Sequence, residues 1–196
     1  MKNLLIILFF FISVTNTSAH QPKLIKYSPT LNEPHNVIEP EISKAYYGKL
    51  NGKPHYYKIK SNTDFSFYAG ITIPKKNDNI KWISIEVYNQ DNKLIFKENG
   101  RDYPWKAWYE PYARDWYWVG PQIGIHNNKE FKESLKFEAG TYLIKVFNDD
   151  NQGSYSLAVG NIEFFGSNLL EKISIWVPIL FYIGPYMDIF YWNKFD

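Results

Sequence analysis

The residues best equipped for chemistry are four histidines and one dense run of aromatics. Cleavage of a leader after Ala19 would make His20 the first residue, and an α-amine plus an imidazole on one residue can chelate Cu(II) or another borderline metal. A histidine brace of this kind needs a second imidazole. His35, His55 and His126 are the candidates, no spacing rule selects among them, and His20 with His35 is the pair taken forward. The plainer alternative is that His20 merely follows a processing site.

The run Tyr103, Trp105, Trp108, Tyr109, Tyr112, Trp116, Tyr117, Trp118 places eight aromatics in sixteen positions, accompanied by Lys106, Arg114 and Asp115. Exposed, such rings form a platform for sugars or another small ligand, with Trp105, Trp108, Tyr112, Arg114 and Trp116 as the contact set. The alternative is a lid over one end of the fold, for which tyrosine and tryptophan are suited because their polar tips can stay wet. Asn148, Asp150 and Gln152 before Gly153 invite comparison with a calcium loop, but the twelfth position is Val159 where a bidentate Glu is required. A solvated turn is expected there instead. No nucleophile elbow, zinc-protease helix, Walker loop or dinucleotide fingerprint occurs, and without cysteine there is no thiol chemistry. Asp and Glu are scattered, and sequence alone does not set two of them across a cleft. The expectation therefore leans away from an enzyme and towards a binding role.

The two ends suggest an address. Lys2, the apolar run Leu4 to Ile12, and the polar stretch closing on Thr17-Ser18-Ala19 make the three-part pattern of a secretory signal over residues 1–19. Nine apolar residues at ~1.5 Å each are too short to cross a ~30 Å hydrocarbon layer. Removing 19 of 196 residues leaves 177, one domain by length. The leader takes away Lys2 and no acid, so 21 basic groups face 20 acidic ones. That balance argues against nucleic acid as a partner, which needs a clustered basic surface. With no cysteine and 19% aromatic residues, stability has to come from packing of large side chains.

The elements that must position these residues are short strands. Ile83, Ile85 and Val87 alternate with Ser84 and Glu86; Tyr142, Ile144 and Val146 repeat the pattern, as do Tyr155, Leu157 and Val159. Period two marks half-buried strands. The last two segments, joined by the polar link 148–153, read as a hairpin; Lys44 to Leu50 and His55 to Lys60 around Asn51-Gly52 read as another. Phe65 to Ile73 and Lys93 to Lys97, with Trp116 to Val119 and Leu135 to Glu138 as weaker ones, bring the count to eight or nine strands. Pro104, Pro111 and Pro121 discourage central pairing, so Arg101 to Gly120 is expected to be a long ordered loop carrying one strand. The result is an all-β fold, an antiparallel β-sandwich or jelly-roll-like domain over residues 41–165, preceded by an extended segment 20–40.

Ala45-Tyr46-Tyr47-Gly48-Lys49-Leu50, Arg114-Asp115-Trp116-Tyr117, and Gly140-Thr141-Tyr142 continuing to Gly153-Ser154-Tyr155-Ser156-Leu157-Ala158-Val159-Gly160 give the chain a family likeness over residues 41 to 160. It resembles exported prokaryotic β-sandwich proteins related to bacterial pre-peptidase C-terminal domains. The resemblance implies a jelly-roll-like accessory or binding module rather than a catalyst.

Residues 166–196 form an apolar tail expected to be helical. From Ile173 to Trp192, fifteen of twenty residues are apolar or aromatic, the exceptions being Ser174, Pro178, Gly184, Pro185 and Asp188. A helix of that length reaches ~30 Å, enough to span a bilayer. Trp176, Leu180, Phe181, Tyr191 and Trp192 are the expected contacts with a membrane or an envelope protein. Gly184-Pro185 would break a single helix, which leaves two short interfacial helices, or packing onto the sandwich, as alternatives. The sequence thus leads to an exported, periplasmic or cell-surface, membrane-tethered binding domain with a glycan or small ligand, and copper as a possible cofactor through His20.

Overall fold

A computed structural model describes residues 20–75, 82–110, 115–124 and 135–164. Residues 1–19, expected to be a leader, His126, and residues 165–196, which include the expected helical tail 166–196, lie outside the described residues. Those described fold into two sheets packed face to face, with strands β1 (Gln21–Leu24), β2 (His35–Val37), β3 (Lys44–Asn51), β4 (His55–Ser61), β5 (Phe65–Phe67), β6 (Ala69–Pro74), β7 (Ser84–Tyr88), β8 (Leu94–Glu98), β9 (Lys106–Glu110), β10 (Asp115–Ile123), β11 (Leu135–Phe137), β12 (Gly140–Phe147) and β13 (Gln152–Val159). One sheet has the order β1-β3-β13-β6-β10-β9, the other β2-β4-β12-β7-β8, and β5 pairs with β11. No helix occurs among the described residues. The fold is the expected β-sandwich.

The period-two pattern does what it predicts. Ile83, Ile85, Val87, Ile144, Val146, Tyr155, Leu157 and Val159 are all buried in the space between the sheets. Tyr46 and Tyr57 meet across that space at 5.6 Å between ring centroids. One end is closed by rings alone: Phe67 stacks on Phe137 at 4.3 Å, and Phe65 and Tyr142 pack edge-on and tilted around them. Aromatic burial on this scale supplies the area that a disulfide-free domain needs.

Both expected hairpins are instead arches from one sheet to the other. β3 lies in the six-stranded sheet and β4 in the five-stranded one, and the same holds for β13 and β12. The partners are exchanged: β3 pairs with β13, β4 with β12. A hairpin and an arch leave identical alternation in the sequence, because both bury every second residue. What tips the first link is Pro54, which has no N–H to give a returning ladder. In the second link, Asn148 Nδ2 donates to the Gln152 carbonyl at 2.9 Å and its Oδ1 accepts from the Gln152 N–H at 3.0 Å. The two arches then stack, with the Gly52 N–H donating to the Asn151 carbonyl at 2.8 Å. Gly52 sits at φ +79, which favours glycine.

The sheets are mixed rather than wholly antiparallel. The extended segment 20–40 adds β1 parallel to β3 and β2 parallel to β4, one edge strand to each sheet. The third departure falls on the aromatic run, where β9 pairs with the first half of β10 and forms the edge of the six-stranded sheet in place of a loop carrying one strand. Pro121 is accommodated because the β10–β6 register shifts between Val119 and Gln122, a bulge being one of the few places where a strand tolerates a missing N–H.

Candidate functional site

The β9–β10 pair is positioned by β6, which anchors β10 within the six-stranded sheet and leaves β9 as its outer edge. Registered pairs are Tyr109 with Trp116, Trp108 with Tyr117, and Ala107 with Trp118. Alternation puts Trp108 and Tyr117 on one side of the ribbon and Tyr109, Trp116 and Trp118 on the other. Trp118 packs against the core margin. Two residues further out on the same side, Trp116 is 50% exposed and Tyr109 43% exposed, while Trp108 on the reverse side is 44% exposed. The Tyr109 and Trp116 rings meet at 5.6 Å, nearly perpendicular. A non-hydrogen-bonded or hydrogen-bonded cross-strand pair holds such rings in a fixed mutual geometry on rigid backbone.

The expected contact set is therefore divided. Trp108 and Trp116 present their rings to solvent. Trp105 turns inward: its Nε1 donates to the Gly100 carbonyl at 2.7 Å and its indole lies so close over Gly120 that a methyl group there would collide with it. Tyr112 and Arg114 lie in the connection 111–114, outside the described residues. Tyr109 is the residue that sequence reasoning left out of the contact set, although its spacing from Trp116 in the aromatic run was the signal that would have paired them.

The histidines are distributed over the fold. His20 immediately precedes β1 on the six-stranded sheet, its Nδ1 hydrogen-bonded to the Ser43 hydroxyl, and burial pushes its imidazole down to about 4. His35 opens β2 on the five-stranded sheet. Its Nδ1 meets the Tyr27 hydroxyl at 2.8 Å, and its ring stands edge-on to Tyr46 and Tyr57 at 5.2 and 5.8 Å. Burial lowers its pKa too. The two rings thus have separate sets of partners, and among the described residues no group of three or more His, Asp or Glu lies together. In the loop once compared with a calcium site, Asp150 and Asn148 side chains both accept from the Gln152 N–H, at 3.1 and 3.0 Å, which is turn work.

His55 has the most constrained setting. Its Nδ1 meets the Tyr155 hydroxyl at 2.7 Å, and that hydroxyl meets the Tyr57 hydroxyl at 2.7 Å, all inside the core. His55 Nε2 is buried with no hydrogen-bond partner among the described residues. Desolvation pushes the imidazole down to about 4 and raises Tyr155 well above the usual phenol range. A neutral, sealed imidazole of this kind orders the core.

No protein-family model matches the chain, and no curated protein matches it. Among solved structures, it is similar to the pre-peptidase C-terminal domain of collagenase from Bacillus anthracis. The match runs at 9% identity over 72% of this chain and 97% of that domain, with a TM-score of 0.34.

Proposed function

We infer that the chain is an exported, non-catalytic binding module whose ligand is met by the β9–β10 edge of the six-stranded sheet. The observation that carries this reading is the solvent-facing ring pair Tyr109–Trp116, held at 5.6 Å on paired strands, with Trp108 exposed behind it. Large exposed aromatics in a soluble domain usually mark an interaction surface. Rings that stand fixed on a strand edge suit the flat apolar faces of sugar rings, so the ligand class is carbohydrate. Tyr112 and Arg114, in the connection between the two ring-bearing strands, would add a stacking ring and a charged donor. The leader 1–19 would deliver the module to the periplasm or cell surface. The stretch 173–192, through Trp176, Leu180, Phe181, Tyr191 and Trp192, would tether it to a membrane or an envelope protein. Among the described residues no helix is long and apolar enough to cross a membrane.

A glycan array probed with the purified chain, followed by titration monitored through tryptophan fluorescence, tests this directly. Binding to defined oligosaccharides that is lost in a W108A/W116A variant with unchanged circular dichroism is expected. A blank array together with unaltered behaviour of the variant would remove the ribbon from consideration.

A further inference from the structure

The outer face of the five-stranded sheet gathers lysines and tyrosines from four strands. Its rows follow from the registers: Tyr56, Lys145, Glu86 and Lys97 stand side by side across β4, β12, β7 and β8. Lys58, Leu143, Tyr88 and Leu94 form the next row, and Lys60 with Thr141 the one after. The alternate residues Tyr57, Ile59, Ile85, Val87, Ile144 and Val146 fill the core, so these rows face outward.

Four lysines in these rows meet one carboxylate, leaving three net positive charges. That carboxylate is already engaged. Glu86 takes Lys145 Nζ at 2.9 Å and the Tyr88 hydroxyl at 2.6 Å on Oε2, and Lys97 Nζ at 3.1 Å on Oε1. Lys145 also lies 4.1 Å over the Phe147 ring. The carboxylate is nearly buried, Lys145 is mostly covered and Lys97 is half exposed. Lys58 and Lys60 have no carboxylate partner among the described residues. With strands ~4.8 Å apart and alternate residues ~7 Å apart, the charges spread over an open, twisted face roughly 14 Å on a side rather than converging in a pocket.

We propose that this face docks an acidic polysaccharide, its carboxylates or sulfates meeting Lys58, Lys60 and the Lys145–Lys97 pair while Tyr56 and Tyr88 pack against its sugar rings. An open face of separated cations interleaved with tyrosines is complementary to an extended chain carrying repeated anions, and not to a single compact phosphate. A bilayer is the weaker fit, because Leu94 is the one large exposed apolar side chain in these rows and it lies on the edge strand. The site is separate from the β9–β10 ribbon: it lies on the opposite sheet, so each can fail without the other.

The test is affinity electrophoresis and calorimetry of the full chain with polygalacturonate, with neutral dextran and phosphatidylglycerol vesicles as alternatives. Polygalacturonate should bind, weaken steeply between 50 mM and 500 mM salt as screening shortens to a few ångströms, and leave dextran unbound. K58A/K60A should lose about tenfold in affinity, at the upper end for two exposed ion pairs. K58R/K60R, which keeps the charge, should bind as the parent does, and W108A/W116A should be unaffected. Equal binding by the parent and K58A/K60A would overturn the proposal. So would a lysine dependence confined to the vesicles, which would reassign the face to lipid.

Discussion

Tyr155 and Gly48 stand directly opposite one another in the β13–β3 ladder, and the tyrosine ring occupies the space a side chain at position 48 would need. A Cβ built on Gly48 would lie 2.8 Å from the Tyr155 hydroxyl oxygen and 2.9 Å from Cζ. Both atoms are committed: the hydroxyl bridges His55 and Tyr57 at 2.7 Å to each. Gly48→Ala should therefore displace the ring from the centre of the core and cost about 1–3 kcal/mol, as overpacking does. Chemical denaturation of the variant against the parent measures it, and a change within 0.5 kcal/mol, the usual scatter of surface substitutions, would mean the ring has room to move.

The same network makes stability depend on pH. His55 is buried and neutral, with its pKa pushed from 6.5 to about 4. A folded-state pKa below the unfolded one means that protons favour unfolding, so the contribution is complete above pH 6.5 and shrinks as pH falls from there towards 4. Between pH 7 and 5 the loss from this residue should be about 2 kcal/mol. His55→Phe fills a similar volume without a titrating group, so its unfolding midpoint should fall less steeply over that range. His20 and His35 shift in the same direction and will leave part of the slope in place. Parallel pH profiles for the parent and the variant would show that His55 is hydrated in the folded state.

Glu86 gives the opposite limb. Burial alone would raise its carboxyl, but hydrogen bonds from Tyr88, Lys145 and Lys97 hold it below the ordinary value of 4.5. Its contribution is present above that value and is lost as pH falls below it, through the folded pKa. Glu86→Gln should cost about 1.5–3 kcal/mol at neutral pH, the scale for a hydrogen bond to a charged group, and should flatten the acid limb below pH 4.5. Thermal unfolding at pH 7 and pH 3.5 separates the two effects.

Why some of this was legible in the sequence and some was not comes down to range. Ile83, Ile85 and Val87, or Tyr155, Leu157 and Val159, announce their buried side through a period of two that needs no knowledge of partners. Which strand lies beside them is decided by the opposite sheet, so Asn51-Gly52 and the 148–153 link looked like hairpins when they are arches. The edge strands at Gln21–Leu24 and His35–Val37 pair in parallel with strands beyond intervening chain, and parallel pairing leaves no turn signature at all. In the aromatic run, the prolines masked β9, since Pro104 and Pro111 flank the strand instead of interrupting it. The lysine face was invisible because Lys58, Lys97 and Lys145 come from three separated segments and become neighbours only through register.

The division of the aromatic run carries a last prediction, because three tryptophans close in sequence have different jobs. Trp105 has its indole over Gly120 and its N–H on the Gly100 carbonyl, and it packs against the core cluster. Trp108 is 44% exposed on the far side of the ribbon, and Trp116 is 50% exposed with Tyr109 as its ring partner. Trp105→Ala should then cost about 2–4 kcal/mol, somewhat less than a fully buried tryptophan because it sits at the margin. Trp108→Ala should stay within about 0.5 kcal/mol of the parent, and Trp116→Ala should cost about 0.5–1.5 kcal/mol through the lost ring pair. Ligand binding should run the other way, falling with Trp108 and Trp116 and surviving any Trp105 variant that remains folded. Denaturation curves and fluorescence titrations on the three single variants read both quantities from the same samples. A ranking of stability that placed Trp108 above Trp105 would mean that the Trp108 ring packs onto the domain, and the edge rings would then be part of the fold.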